Sequence, residues 1–165
     1  VRYHQGTDGT LLGNGQTEWL QQALLASEAQ FKVLVGGSQW TAKGSNDSWK
    51  SFLPDRDALF SFIGDNKLSG VVLLSGDIHR SSFRRLVSDQ AGYSLPELTS
   101  SPLSNTTTAC KSDDEIQACY NSRPSYIQME FDTTLSDPTL KASLRNDAGT
   151  LQNQWLIRLS ELSPE

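Results

Sequence analysis

The sequence predicts an α/β fold. Three observations carry that reading. Gly70-Val71-Val72-Leu73-Leu74-Ser75 is an unbroken apolar run, the residues ahead of it read helix, strand, helix, and the residues after about Arg80 switch to apolar–polar alternation. A continuous apolar strand belongs inside a sheet covered on both faces, and helices alternating with strands supply the cover. At 165 residues the chain is the size of one domain. It divides into an α/β part over 1–80 and a mainly antiparallel β part over 81–165.

The first ten residues are irregular and Gly-rich, and His4 among them reads as structural or exposed. Over 16–30, Trp19, Leu20, Ala23 and Leu24 recur at the spacing of an amphipathic helix, with Asn14 or Gly15 as its cap. Trp19 and Trp155 are expected in the core. Residues 31–35 read as a short buried strand ended by Gly36-Gly37. Residues 38–53 form a long polar loop, a length that is commonly functional or mobile. Its Trp40 and Trp49 either wall a pocket or pack in the core. Pro54 suits the first turn of a second helix, where its missing N–H is not needed. Asp55 and Asp57 complement the helix dipole, and Leu59, Phe62 and Ile63 give an inner face. Beyond Arg80, strands are expected over 81–87, 126–132, 140–145 and 154–162. Ile127, Met129 and Phe131 alternate with Gln128 and Glu130, and Asn146-Asp147-Ala148-Gly149 is a turn between two strands.

Composition narrows the function classes. With 36% hydrophobic and 20% charged residues the chain reads as globular. Its net charge of −5 disfavours non-specific nucleic-acid binding, while a small anionic substrate remains open because local fields decide there. No apolar run approaches the ~20 residues of a membrane span. The chain opens Val1-Arg2-Tyr3-His4, which suggests a processed or cut end. The lack of a signal peptide does not argue for the cytoplasm, since a mature chain has lost it. Cys110 and Cys119 lie in a polar stretch. Two Cys and two distant His do not make a four-ligand zinc site, so a loop-closing disulfide is the preferred reading and two free thiols the other. The sequons Asn46-Asp47-Ser48 and Asn105-Thr106-Thr107 are candidate glycosylation sites at Asn46 and Asn105. With the cysteine pair they point to a secreted or extracellular protein.

The chemistry concentrates in Ser75-Gly76-Asp77-Ile78-His79, directly after the most apolar strand. Sites in open α/β sheets gather at the carboxyl ends of strands. An extended backbone would point Asp77 and His79 the same way, with Gly76 allowing a tight turn. Carboxylate plus imidazole suits iron, manganese or zinc, one ligand for each ion of a two-metal centre. The bland alternative is that Asp77 caps a turn and His79 is an exposed loop residue. Arg80, Arg84 and Arg85 follow, and a guanidinium can grip phosphate bidentately. Strand alternation would send Arg84 and Arg85 to opposite faces, so at most one of them faces the site. Solvated surface charge is the competing reading of each.

An ordered set of segments resembles PhoD-like (alkaline phosphatase D) phosphatases, within the calcineurin-like metallophosphoesterases. The segments are Arg2, Leu12-Gly13-Asn14-Gly15-Gln16-Thr17-Glu18-Trp19-Leu20, Val35-Gly36-Gly37-Ser38-Gln39, the Trp49, Phe52, Pro54, Arg56 stretch, Leu74 to His79, and Pro96-Glu97-Leu98-Thr99-Ser100-Ser101. They cover roughly residues 1–105. The resemblance implies half of a four-layer α/β/β/α sandwich, the C-terminal half. His79 then resembles the terminal metal-ligating His of the superfamily, and Asp77 stands where many relatives carry a second-metal His. Gln39 lies near another ligand position. As a poor ligand, it is expected either to hold water behind the metal or to be an ordinary loop amide. Arg80 is the candidate for contact with substrate.

The implied activity is hydrolysis of phosphate mono- or diesters with two metal ions. The resemblance implies iron and calcium, and manganese or zinc suit the residues equally. Most ligands of this family precede the region matched here. The expected partners are therefore a phosphate ester and a missing N-terminal half, and the chain alone should be inactive. The alternative is a non-catalytic secreted module that kept the fold and lost the site.

Overall fold

The computed structural model describes residues 10–164. Its elements run α1 (Gly13–Ala26), β1 (Lys32–Val35), a 3-10 turn (Trp49–Phe52), α2 (Leu53–Asp65), β2 (Val71–Ser75), β3 (Ser81–Leu86), β4 (Leu95–Thr99), β5 (Ile116–Tyr120), β6 (Ser125–Asp132), β7 (Thr139–Asn146), β8 (Leu151–Arg158) and a closing 3-10 turn (Leu159–Leu162). The α/β class expected from sequence is the class observed. Arg2 and His4 lie outside the described residues.

The strands form a five-stranded sheet in the order β1-β2-β4-β3-β5 and a three-stranded sheet in the order β6-β7-β8. β2 runs parallel to both β1 and β4. β3 is antiparallel to β4 and β5, and the smaller sheet is antiparallel throughout. The larger sheet therefore draws strands from both sides of Arg80.

The pleat of β2 explains its unbroken apolar run. Val71 and Leu73 face the helices and pack with Leu24, Leu59, Phe60 and Ile63. Val72 faces the other way and packs with Phe83, Leu98, Leu140, Ala142, Leu144 and Ile157. The described residues thus stack in three layers of helices, sheet and sheet. Phe60, 1% exposed, joins Leu59 and Ile63 on the inner face of α2, while the expected Phe62 is only partly buried.

Several expectations are corrected. α1 begins at Gly13, with Asn14 and Gly15 inside it. Leu12 occupies the cap position without a side-chain bond. The helix entrance is held instead by Gly13 N–H donating to Thr10 Oγ1 at 2.9 Å and Leu11 N–H donating to Asp55 Oδ2 at 2.6 Å. The apolar stripe of α1 is largely uncovered: Trp19 is 64% exposed, Ala23 is exposed and only Leu24 is buried. β1 is likewise not a buried strand. It lies at the sheet edge with Val35 73% exposed, because no element of the described chain pairs with its outer side. Trp155 is half-buried against Phe83 rather than enclosed. The last strand starts at Leu151, earlier than expected, and the 3-10 turn after it buries Leu162.

Cys110 and Cys119 form a disulfide. It ties the irregular segment after β4 to β5, whose Cys119 stands opposite Ser82 of β3. Closing a loop of this size removes about 2–3 kcal/mol of chain entropy from the unfolded state. The double variant Cys110→Ser/Cys119→Ser is expected to lose about that much stability in urea unfolding, and an unchanged midpoint would refute the contribution.

Candidate active site

The motif after β2 is a turn and not an extended strand. Asp77 has φ 69° and His79 has φ 56°, both left-handed, and Ile78 N–H donates to Gly76 O at 2.9 Å. Left-handed conformations are uncommon for residues other than glycine, less so for Asp and His than for most, and two in one turn are held where the surroundings restrain them. Gly76 is not the residue that makes the turn tight. Its backbone needs no special conformation, and a Cβ there would meet only ordinary contacts, with Ser100 O at 3.6 Å. The restraint comes from outside the turn. Ser100 N–H donates to Ser75 O at 2.9 Å, Thr108 N–H to His79 O at 2.8 Å, and Thr108 Oγ1 to Ile78 O at 2.5 Å.

The two side chains do not meet in one cavity as they would on an extended backbone. Asp77 is exposed and opens onto a cavity of about 370 Å³ with Arg80 and Thr108. His79 is half-buried and does not line that cavity. Its Nε2 lies 3.3 Å from Asn105 Nδ2. Thr106 N–H donates to Asn105 Oδ1 at 2.7 Å, which turns the amide so that its NH2 faces the ring. Asn105, a candidate glycosylation site, is exposed, and so is Asn46. The sequence offered no signal for the contact between Asn105 and His79, because the two residues come together only through the Thr108 clasp.

Behind the turn lies a buried polar chain. Gln39, fully buried, donates Nε2–H to Thr99 Oγ1 at 3.2 Å. Ser75 Oγ donates to Glu97 Oε1 at 2.8 Å, and its distance of 3.0 Å to Thr99 Oγ1 then makes Thr99 the donor to Ser75. Trp40 N–H also donates to Glu97 Oε1, at 2.8 Å. Burial pushes the Glu97 carboxyl up to about 7, against the opposing pull of these hydrogen bonds and of Arg84. Gln39 Oε1 and Glu97 Oε2 have no hydrogen-bond partner among the described residues. Buried polar atoms of this kind call for an explanation such as a water or a proton. Glu97 was legible only as part of a motif, without a role.

The three arginines separate. Arg84, 2% exposed, makes bidentate bonds to Asp113 at 2.9 and 3.0 Å and a third to Glu115 Oε2 at 3.3 Å. Arg85 points to the opposite face, over the ring of Trp155 and toward Glu161. Arg80 is 9% exposed and donates Nη1–H to Thr108 Oγ1 at 3.1 Å. Trp40 and Trp49 stack at 4.3 Å, both 3% exposed, and line an apolar groove between α1 and β1, away from Asp77.

A carboxylate and an imidazole on one turn have the donor chemistry of a transition-metal site. Two donors fall short of the four such a site needs, and no group of three or more His, Cys, Asp and Glu comes together among the described residues. The turn therefore fits part of a metal centre, and any further ligands lie beyond the described residues.

Known proteins agree with the fold. The chain matches the PhoD-like phosphatase family over residues 2–134. It is 35% identical to alkaline phosphatase D of Bacillus subtilis (strain 168) over 81 residues, which are 44% of this chain and 14% of that protein. Its fold superposes on a solved structure described as the structure of PhoD with a TM-score of 0.57 at 20% identity, covering 96% of this chain and 37% of that one. The chain thus spans well under half of either relative. The family match takes in α1 through β6, including the Asp77–His79 turn and the Glu97 strand, and on that extent the chain belongs to the PhoD-like phosphatase family.

Proposed function

We propose that this chain is the C-terminal portion of a metal-dependent hydrolase of phosphate mono- or diesters. Asp77 and His79 would supply two ligands of a two-metal centre. The observation that carries the reading is the strained turn at the carboxyl end of β2, where two left-handed residues present a carboxylate and an imidazole. Strain held in place by a clasp such as Thr108 is a mark of functional sites. Bound metal ions would activate water and neutralise phosphate charge. The metals would be iron and calcium on the family resemblance, with manganese or zinc compatible with the two donors. The orphaned Gln39 Oε1 supports a water held behind the site, and Arg80 supports contact with a phosphate group of the substrate.

The remaining ligands would lie in a preceding N-terminal half, which together with this chain would make the four-layer sandwich. The free edge of β1 and the exposed Trp19 and Val35 support such a partner, since an uncovered strand edge beside an apolar groove invites pairing. The 1–80 and 81–165 parts would then act as one unit, joined by the sheet that both contribute to. The disulfide supports a secreted protein, with Asn46 and Asn105 as exposed acceptors for glycosylation. No described helix is long and apolar enough to cross a membrane.

The alternative, a secreted module that keeps the fold without catalysis, draws on the glutamine at the ligand-like position Gln39. One experiment separates the two. The full-length protein should bind metal and hydrolyse a p-nitrophenyl phosphate ester, losing activity in chelator, whereas the 165-residue chain alone should not hydrolyse it. A full-length protein free of metal and activity would leave the alternative standing. Activity in the chain alone would overturn the two-part site.

A further inference from the structure

Beside Asp77 the cavity is walled by cations. Lys43 enters from the loop before α2, Arg80 from the turn after β2, Arg84 from β3 and Lys111 from the disulfide-closed segment. Their pairing is unequal. Arg84 is committed to Asp113 and Glu115, and Lys43 is paired with Asp114. Arg80 and Lys111 make no ion pair among the described residues. Arg80 spends a single N–H, on Thr108, out of the five that a guanidinium carries. It is 9% exposed and lines the cavity beside Arg84. Its remaining N–H groups have no hydrogen-bond partner among the described residues, and an anion in the cavity would satisfy them.

The wall is also built to stay in place. Thr108 accepts from Arg80 and donates to Ile78 O, so it ties both ends of the turn to the segment that carries Lys111. Cys110, next to Lys111, anchors that segment to β5. The opening of about 370 Å³ holds a phosphate-sized group with room to spare.

We propose that Arg80 and Lys111, with Lys43 at the rim, form a subsite for a second phosphate group on the substrate, carried by the part of the ester that leaves. This rests on the phosphoester hydrolysis proposed above and narrows its substrate class: esters whose leaving portion is itself phosphorylated, in preference to those with a neutral one. Asp77, on the cavity's edge, marks the side at which the reacting phosphorus sits.

Binding and turnover test it separately. The chain, without divalent ions and at constant ionic strength, is titrated with inorganic pyrophosphate and followed by amide chemical shifts. Saturable shifts at Arg80, Thr108 and Lys111 are expected. Binding should weaken about tenfold in Arg80→Gln, which loses charge-assisted bonds, and about threefold in Lys111→Gln, an exposed residue whose loss does not threaten folding. Shifts that do not saturate, or that both variants leave unchanged, overturn the subsite. In the full-length protein, Lys111→Gln should raise KM for an ester with a phosphorylated leaving group several-fold more than KM for a p-nitrophenyl ester. Weaker pyrophosphate binding with an unchanged ratio of the two KM values would mean a site for free phosphate only, and would overturn the assignment to substrate. Absence of hydrolysis in the full-length protein, by contrast, bears on the proposed reaction and not on the titration of the chain.

Discussion

In the full-length protein, His79→Ala is expected to remove metal-dependent hydrolysis by more than about a hundredfold and to lower bound metal. Loss of a partner that merely orients a metal ligand already costs about 10–100-fold, and loss of the ligand itself costs more. Neutral imidazole binds transition metals well, and the nitrogen that does not bind is oriented by a hydrogen bond. The Thr108 clasp holds the backbone of His79. Asn105 Nδ2–H faces Nε2, so a metal bound at Nε2 would take the place of the Asn105 amide while the backbone stays fixed. Asp77 has no such restraint on its side chain, and it opens to the cavity. Asp77→Asn is expected to be milder if the carboxylate acts through water, and as severe as His79→Ala if it binds metal directly. Metal content measured beside kcat distinguishes the two. A His79→Ala protein with undiminished metal and kcat would remove His79 from the site.

How much of this was legible depends on which force shaped each segment. β2 announced itself because both its faces are buried, so every position had to be apolar. α2 announced itself through Pro54, and β6, β7 and the turn at Asn146 through alternation, all local rules. β4 was hidden because Pro96 and Glu97 sit inside it, and proline and a charge argue against a central strand. Register supplies the explanation. Pro96 stands opposite Arg85 near the strand's start, and Glu97 faces the buried Arg84 position across the ladder. The exposure of Trp19 and Val35 was misread for a different reason. An apolar stripe says that a surface is built to be covered, and does not say which polypeptide covers it. The left-handed turn at Asp77 and His79 could not be read at all. Asp and His enter that region more readily than most residues, but nothing local requires it there, and the elements that hold it lie some twenty to thirty residues later at Ser100 and Thr108. The pairing of Cys110 with Cys119 is the preferred reading of an even count in a polar stretch, with two free thiols as the other, and the disulfide is the one observed.

Arg84→Met is expected to cost about 3–5 kcal/mol, toward the lower end because Asp113 reaches solvent. Methionine can fill much of the space, but it leaves Asp113 and Glu115 without the guanidinium that holds them. Glu97 lies opposite Arg84 in the ladder and also draws on its charge. Burial leads the deepest of these carboxyl groups, Glu97, to hold its proton to about pH 7 even with Arg84 nearby. The sign of the resulting pH dependence follows from linkage. A carboxyl whose folded-state value is raised binds its proton more tightly in the fold than in the unfolded chain. Its contribution is fully present below about 4.5 and is lost as pH rises through about 7. The parent chain should therefore lose about 1 kcal/mol between pH 6 and pH 8, and Glu97→Gln should flatten that slope while keeping an acceptor for Trp40 N–H. Arg84 is one of the groups that lower Glu97, so without it Glu97 keeps its proton to higher pH, and the fall in stability moves further into the alkaline range. Urea unfolding of the parent chain, Arg84→Met and Glu97→Gln at both pH values reads all three effects. A cost below about 1 kcal/mol for Arg84→Met, or a slope that persists in Glu97→Gln, would show that the buried cluster does not hold β3 to β4 in this way.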